Sequence, residues 1–225
     1  MMSLLCGIVA TSRSSFAQNP RAEIENGNVI LRENGVTTSL TKDGKDLDVT
    51  LAPDQSTLVF VHHVDEIRTP GAQVVVRNQL WIAKRSEHWM PKTLLAGPII
   101  ERSVKLQEFR YAQFSPDGKL IYFLVLDYAT VSPGLFWIGE DGATHFIAQA
   151  QKFWIIDEGV WSGNVIAQQN RTTLEGGRLE MYYMYDPAGK EVGLFGIYEQ
   201  GVLNFLKEFS PGRYQREGVG GNRPQ

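Results

Sequence analysis

The chain has 225 residues, of which 43% are apolar and 21% are charged, with 22 glycines and 10 prolines. This is the composition of an ordinary globular domain, and it excludes a disordered chain, a collagen-like chain and a coiled coil. The 22 basic and 25 acidic side chains give a net charge of -3, so no basic excess is available to bind a phosphate backbone, and we expect no nucleic-acid partner.

The N-terminus begins with a short apolar run over residues 4–10, and a membrane span would need about 20 residues. Ser15-Phe16-Ala17 then places small residues at the two positions that a signal peptidase reads. We therefore predict that residues 1–17 are a secretory signal; the alternative is a buried N-terminal strand or helix. The mature chain would be periplasmic or secreted, without a transmembrane segment, and it would lack Cys6, the single cysteine.

After the predicted signal, strand signals dominate the sequence. Apolar runs rich in β-branched and aromatic residues alternate with Gly, Pro, Asp and Asn, and no stretch combines three turns of helical spacing with caps at both ends. We expect one all-β domain over residues 18–208 and a flexible C-terminal tail over 209–225. The predicted strands, in chain order, are VILREN (29–34), TLVFV (57–61), AQVVV (72–76), LWIAK (80–84), LIYFLVL (120–126), GLFWIG (134–139), NVIAQQ (164–169), LEMYYMY (179–185) and VGLFGIY (192–198).

Two elements recur along the chain, which is the pattern of a repeat architecture. Residues 51–60 align without gaps on residues 114–123, and in both an apolar strand enters a Pro-Asp turn from which a second apolar strand leaves. Proline presets φ of such a turn, and the aspartate side chain caps it. The second element is a hairpin with a tight polar turn, seen at 136–144 and 183–191 and more weakly at 29–37.

In order, these elements predict units of four strands, which we call A to D. The units cover about 46–96, 106–150 and 151–200. Residues 27–41 supply only the last two strands of a further unit, and 201–208 could supply one strand to complete it. Both termini would then build one blade and close a ring.

The string FSPDGKLIYF (114–123) resembles the Pro-Asp repeat of TolB-like, WD40-like β-propellers, and Ser39-Leu40-Thr41 with Gly44, Asp46 and LAPD (51–54) resembles the same repeat in degraded form. The resemblance implies a small propeller-like array of four-stranded antiparallel blades. At about 40–45 residues per blade, the mature chain allows four blades or at most five. The alternative is an unrelated β-sandwich that uses Pro-Asp turns.

Signals of catalysis and metal binding are weak in this sequence. His62 and His63 are neighbours on a strand and point to opposite faces, so they cannot easily bind one metal. We interpret His62 with Asp65 and Glu66 as solvated loop residues; the alternative is a metal site in that loop. We therefore predict no metal and no cofactor. Ser162 comes one place too late for a G-x-S-x-G motif and reads as a turn residue, so no catalytic residue is predicted.

The resemblance to TolB-like propellers implies an exported, non-catalytic binding protein whose partner is another protein in the cell envelope. One specific form would be an inhibitor or immunity protein that plugs a partner enzyme. The alternative is an enzyme, a hydrolase or lyase with acidic residues at the propeller mouth.

In an up-and-down blade, the A–B and C–D turns lie on one face and the B–C loops on the other. The A–B and C–D turns of this chain are short and stereotyped, whereas its B–C loops differ in length and chemistry, so we place the binding surface on the B–C face. Trp89 lies in a polar connection and is expected to be exposed. The predicted binding residues are Asp65, Glu66, Arg68, Trp89, Tyr128, Asn170, Arg171 and Glu175.

Overall fold

The computed structural model describes residues 19–68, 74–97, 99–101, 104–106, 108–126, 133–172 and 174–212. Within these residues the chain forms four antiparallel sheets, one separate two-stranded hairpin and one α-helix. The predicted all-β class and the propeller-like array of four-stranded antiparallel units are thereby confirmed. No helix in this described part of the chain is long and apolar enough to cross a membrane.

The sheets follow one another in chain order. The first contains β1 (Arg21–Glu25), β2 (Asn28–Glu33) and β3 (Val36–Ser39). The second contains β4 (Asp46–Leu51), β5 (Thr57–Arg68), β6 (Val74–Lys84) and β7 (Lys92–Ala96). The third contains β10 (Glu108–Phe114), β11 (Ile121–Leu126), β12 (Gly134–Ile138) and β13 (Thr144–Gln149). The fourth contains β14 (Lys152–Ile155), β15 (Val165–Thr172), β16 (Arg178–Tyr185) and β17 (Glu191–Gly196).

The remaining elements are a separate hairpin and a helix. The hairpin, β8 (Ile99–Glu101) with β9 (Val104–Leu106), lies in the chain between the second and third sheets. Helix α1 (Glu199–Phe209) follows the fourth sheet. The three predicted four-stranded units therefore correspond to the second, third and fourth sheets.

The two Pro-Asp turns occupy equivalent places. Pro53-Asp54 joins β4 to β5, and Pro116-Asp117 joins β10 to β11. The carboxylate of each turn accepts a backbone N–H two residues on, from Ser56 at 3.0 Å and from Lys119 at 3.1 Å. A Cβ added to Gly118 would lie 3.8 Å from Cδ of Pro53, so the turns are neighbours at one end of the stacked sheets, which we call the Pro-Asp end.

The core is divided into layers between consecutive sheets, and β11 shows why. Ile121, Phe123 and Val125 pack against the second sheet, whereas Tyr122 and Leu124 pack against the fourth. A strand buried on both faces reads as a continuous apolar run rather than an alternating one, as the sequence LIYFLVL does. Separate apolar clusters fill the interfaces between the first and second, second and third, and third and fourth sheets.

The segment 201–208 is helical, so the predicted closing strand is wrong. Val202 and Leu206 are buried against the fourth sheet, with Phe205 and Phe209 packed beside them. Apolar residues three and four positions apart share one face of a helix, whereas a strand would bring every second residue to the same face. Across the described residues, no apolar cluster joins the fourth sheet to the first, so the sheets form an open array with α1 at one end.

The structure at both ends of the array differs from the one that the predicted ring closure requires. The first sheet takes its additional strand, β1, from residues just before 27–41 rather than from the C-terminus. Ser210, which the sequence placed in the flexible tail, is buried, and its Oγ accepts the backbone N–H of Asp157 at 2.8 Å. The folded domain therefore extends past residue 208, while the predicted signal (1–17) and residues 213–225 lie outside the described residues.

Candidate functional site

Two hairpins extend beyond their neighbouring strands. In the second sheet, β5 is paired on one side as far as His63, whose N–H donates to the backbone oxygen of Lys45 at 2.8 Å, and β7 reaches β6 only as far as Gln79. Among the described residues, 64–68 and 74–78 therefore have strand pairing only with each other. In the fourth sheet, 169–172 and 178–181 likewise pair only with each other. We call these segments the first and second hairpin arms.

Both arms lie at the end opposite the Pro-Asp turns. The first arm is at the far end of β5 from Pro53-Asp54. The connection between β14 and β15 contacts the start of β11, where the Tyr122 hydroxyl lies 3.5 Å from the carbonyl oxygen of Gly163. That connection therefore belongs to the Pro-Asp end, and the second arm, at the other end of β15, projects from the same end as the first.

The sequence pattern places B–C loops at 62–71 and 169–176, but the structure is strand over 62–68 and 169–172. In the first arm, Arg77 Nε donates to Asp65 Oδ1 at 2.6 Å, and Nη2 donates to the second carboxylate oxygen. Opposite charges on facing strands stabilise the pairing, which explains why β5 continues through a polar sequence. The Arg77 guanidinium holds the pKa of the Asp65 carboxyl below its usual 3.8, and the carboxylate in turn raises the pKa of Arg77.

The other predicted residues of the first arm follow Asp65 along β5. Glu66 is exposed on β5, and Arg68 is the last residue of that strand. Asn78, at the base of the arm, is buried, and its side-chain amide donates to the backbone oxygen of Phe109 in the third sheet at 3.0 Å. The arm is therefore anchored at its base to the next sheet. Tyr128 lies outside the described residues.

The second arm brings three predicted residues together. Asn170 and Arg171 are on β15, and Glu175 is exposed in the turn that follows. The Arg171 guanidinium lies 5.0 Å from the ring centroid of Tyr183, a cation–π contact that leaves the charge accessible. Sequence reasoning missed Leu174, which is fully exposed in the turn, because an isolated leucine beside a glycine-rich turn gives no signal of its exposure.

The prediction that Trp89 is exposed is wrong. Trp89 follows β6 rather than the fourth strand of its sheet, so it lies at the Pro-Asp end, away from the arms. Its indole is 8% exposed, packs with Leu58 and Phe60, and donates from Nε1 to Glu33 at 3.2 Å. The polar connection folds over the interface between the first two sheets, where an apolar side chain finds partners, so Trp89 does not belong to the binding surface.

His62 has partners other than those expected. It lies within β5, directly opposite Asp46 in the strand register, and its Nδ1 is 2.8 Å from Oδ1 of that buried carboxylate. Its Nε2 is 3.6 Å from Oδ2 of Asp43, and its ring centroid is 4.7 Å from that of Trp81. Asp65 bonds to Arg77 instead. The sequence did not reveal this group because Asp46 and His62 meet only through strand register.

Ser162 is a turn residue, as predicted. It follows a 3₁₀ turn over Gly159–Trp161, and its hydroxyl donates to the backbone oxygen of Asp157 at 2.8 Å. This bond anchors the connection between β14 and β15 and commits the hydroxyl hydrogen to a carbonyl rather than to a base.

No protein-family model matches the sequence, and neither does any curated protein. Several solved structures are similar to this chain. The chain is similar to Porphyromonas gingivalis dipeptidyl peptidase 4, with 12% identity over 79% of this chain and 31% of that chain, at a TM-score of 0.50. Acinetobacter baumannii TolB matches with 12% identity over 79% of this chain and 40% of that chain, at a TM-score of 0.49.

A third similar structure is the β-propeller domain of the trilobed protease from Pyrococcus furiosus, with 10% identity over 81% of this chain and 58% of that chain, at a TM-score of 0.47. The chain thus spans less than two thirds of each of these proteins. The chain forms a propeller-like array of antiparallel sheets, as its Pro-Asp repeats predicted, and identities this low carry no information beyond the fold.

Proposed function

We propose that the chain is an exported, non-catalytic binding protein that contacts another protein through its two hairpin arms. The observation that carries the proposal is that both arms leave the sheets at the same end and pair only with themselves there. Strand pairing holds them in place, and the side chains of Glu66, Arg171 and Leu174 are exposed there. Binding residues are commonly presented in this way, on projecting segments of a rigid scaffold.

The chemistry of the arms fits a protein surface as partner. The first arm offers the Asp65–Arg77 pair and Glu66, and the second offers the Arg171 cation and the exposed Leu174. Exposed apolar and arginine side chains among mixed charges are characteristic of protein–protein contacts, whereas a net charge of -3 disfavours a phosphate backbone. An inhibitor or immunity protein that plugs a partner enzyme is the specific form of this proposal.

Site-specific photo-crosslinking in an envelope extract tests the proposal. A photoreactive amino acid at position 174 should give a discrete crosslinked species, because Leu174 is fully exposed in the turn of the second arm. The matched control is position 160, where valine is 89% exposed at the Pro-Asp end. Position 160 should give no such species, and the partner is then identified by mass spectrometry.

Charge-reversal substitutions test which of the two ends of the array binds the partner. Arg171→Glu should reduce the yield from position 174 at least tenfold with the melting temperature unchanged, because the guanidinium is exposed. Asp141→Lys, in the turn between β12 and β13 at the Pro-Asp end, should leave the yield unchanged. Crosslinks from position 160 alone, or loss of binding with Asp141→Lys alone, would contradict the choice of end.

Export is the second part of the proposal. The motif at residues 15–17 predicts cleavage before Gln18. Mass spectrometry of the mature protein should find Gln18, open or cyclised, at the N-terminus. An intact Met1 in protein recovered from the cell envelope would overturn this part.

A further inference from the structure

We propose that His62 and Asp43 bind a transition-metal cation of the Zn²⁺ class, with Asp46 orienting the histidine. Asp43, Asp46 and His62 form the one group of three His, Cys, Asp or Glu side chains, among the residues that the structure describes, whose ligand atoms all lie within 4.8 Å of one another. The group lies at the arm end of the second sheet, where β4 begins. It is distinct from the side chains proposed above to contact a protein.

The histidine is held in the tautomer that a metal ligand needs. Asp46 is fully buried, and its Oδ1 accepts from Nδ1 of His62 at 2.8 Å, while Oδ2 accepts the hydroxyl of Thr41. In the neutral imidazole the proton is therefore on Nδ1, and the lone pair is on Nε2, facing Asp43. A carboxylate behind the distal nitrogen is the usual support of a metal-bound histidine, because it fixes the ring and raises its basicity.

The other nitrogen faces a second carboxylate. Nε2 of His62 and Oδ2 of Asp43 are 3.6 Å apart, and a lone pair and an anionic oxygen repel each other unless a positive charge lies between them. With bonds of about 2.0–2.2 Å to nitrogen and oxygen, an ion touching both atoms would subtend about 120° between them, close to the tetrahedral geometry of Zn²⁺. Imidazole as a ligand favours zinc, copper, iron or nickel over calcium and magnesium.

The loop that carries Asp43 is fixed before any ion binds. Gly44 N–H donates to Oδ1 of Asn28 at 2.8 Å, and Asp46 N–H donates to the backbone oxygen of Gly27 at 2.7 Å. The Asp43 side chain is 47% exposed, so an ion can reach it from solvent with water as its remaining ligands. The site therefore combines a prepositioned protein ligand pair with an open side.

Metal titration of the full chain tests this inference. After dialysis against EDTA, Zn²⁺ should bind one-to-one by calorimetry, and Co²⁺ should quench tryptophan fluorescence because Trp81 contacts the histidine ring. Asp43→Asn, at a half-exposed position that the fold tolerates, should weaken binding at least tenfold. His62→Gln should abolish the one-to-one phase, with circular dichroism verifying that both variants remain folded.

The chain contains its own matched control. His145 stacks on Trp137 at 3.8 Å and lies 3.5 Å from Asp141, yet no buried carboxylate is found behind its ring within the described residues. Asp141→Asn should therefore leave the affinity unchanged. Three results would overturn the proposal: no one-to-one binding, equal weakening in the two asparagine variants, or unchanged affinity in Asp43→Asn. If there is no one-to-one binding, the positive charge between Nε2 and Asp43 is a proton on the imidazole.

Discussion

Helix α1 covers the outer face of the fourth sheet, and a substitution at Leu206 tests how much this packing adds to the free energy of unfolding. The side chain is fully buried between the helix and the sheet. Leu206→Ala removes three carbon atoms, about 2.4 kcal/mol of transfer free energy at about 0.8 kcal/mol each. The unfilled volume adds to this, but a helix that packs on one face of a sheet can shift inward and fill part of it. We therefore expect the free energy of unfolding to fall by about 3 kcal/mol, inside the usual range for such changes.

Urea unfolding followed by tryptophan fluorescence measures this loss, since Trp154 belongs to the same apolar cluster as Leu206. Lys207→Ala, at the exposed neighbouring position of the helix, is the control and should change stability by less than about 0.5 kcal/mol. A loss below about 1 kcal/mol for Leu206→Ala would show that the helix is not a structural part of the last blade, and the reasoning would fail.

Two further predictions concern turns. Gly27→Ala should destabilise the fold by about 2 kcal/mol or more, because φ is +71° and the new Cβ would lie 2.2 Å from the carbonyl oxygen of Gly44. Gly35→Ala, with φ of +77° and open space around it, should lose only about 1 kcal/mol in the same urea assay, and equal losses would refute the role of the contact. The hydroxyl of Ser115 holds the pKa of Asp117 below its usual 3.8, so the stabilisation from this carboxylate is complete above pH 3.8 and lost as the pH falls through the lowered value. Because the Asp117 side chain is exposed and water weakens its bonds to Ser115 and Lys119, Asp117→Ala should cost about 0.5 kcal/mol at neutral pH, with the difference shrinking in acid. A difference that grew in acid thermal melts would contradict this sign.

The repeats were readable from sequence because their signals are local. A proline that presets φ and an aspartate that caps the next N–H determine the turn at Pro116-Asp117 whatever surrounds it, and the alignment on Pro53-Asp54 placed two sheets from that chemistry alone. The continuous apolar run of β11 likewise predicts burial on both faces of the strand. Strand units could therefore be bounded to within a few residues.

The misplaced features depend on contacts between distant segments. Trp89 looked exposed because its neighbours in sequence are polar, but its partners come from β2 and β5. His62 was grouped with Asp65 because they are close in sequence, whereas strand register brings it to Asp46. The predicted strand at 201–208 rests on the assumption of a closed ring, whereas Val202, Leu206 and Phe209 share one face of a helix that packs on the fourth sheet.

The layered core also affects how the molecule gains and loses structure. Each apolar cluster is shared by two adjacent layers and no others, so the coupling between blades runs only from neighbour to neighbour. Such a chain of layers behaves as a one-dimensional cooperative system, in which opening can start at an end without breaking the contacts of the middle. The second and third sheets, each covered on both faces by another sheet, would be the last to exchange their amide protons, and the two ends would differ because a helix covers the fourth sheet.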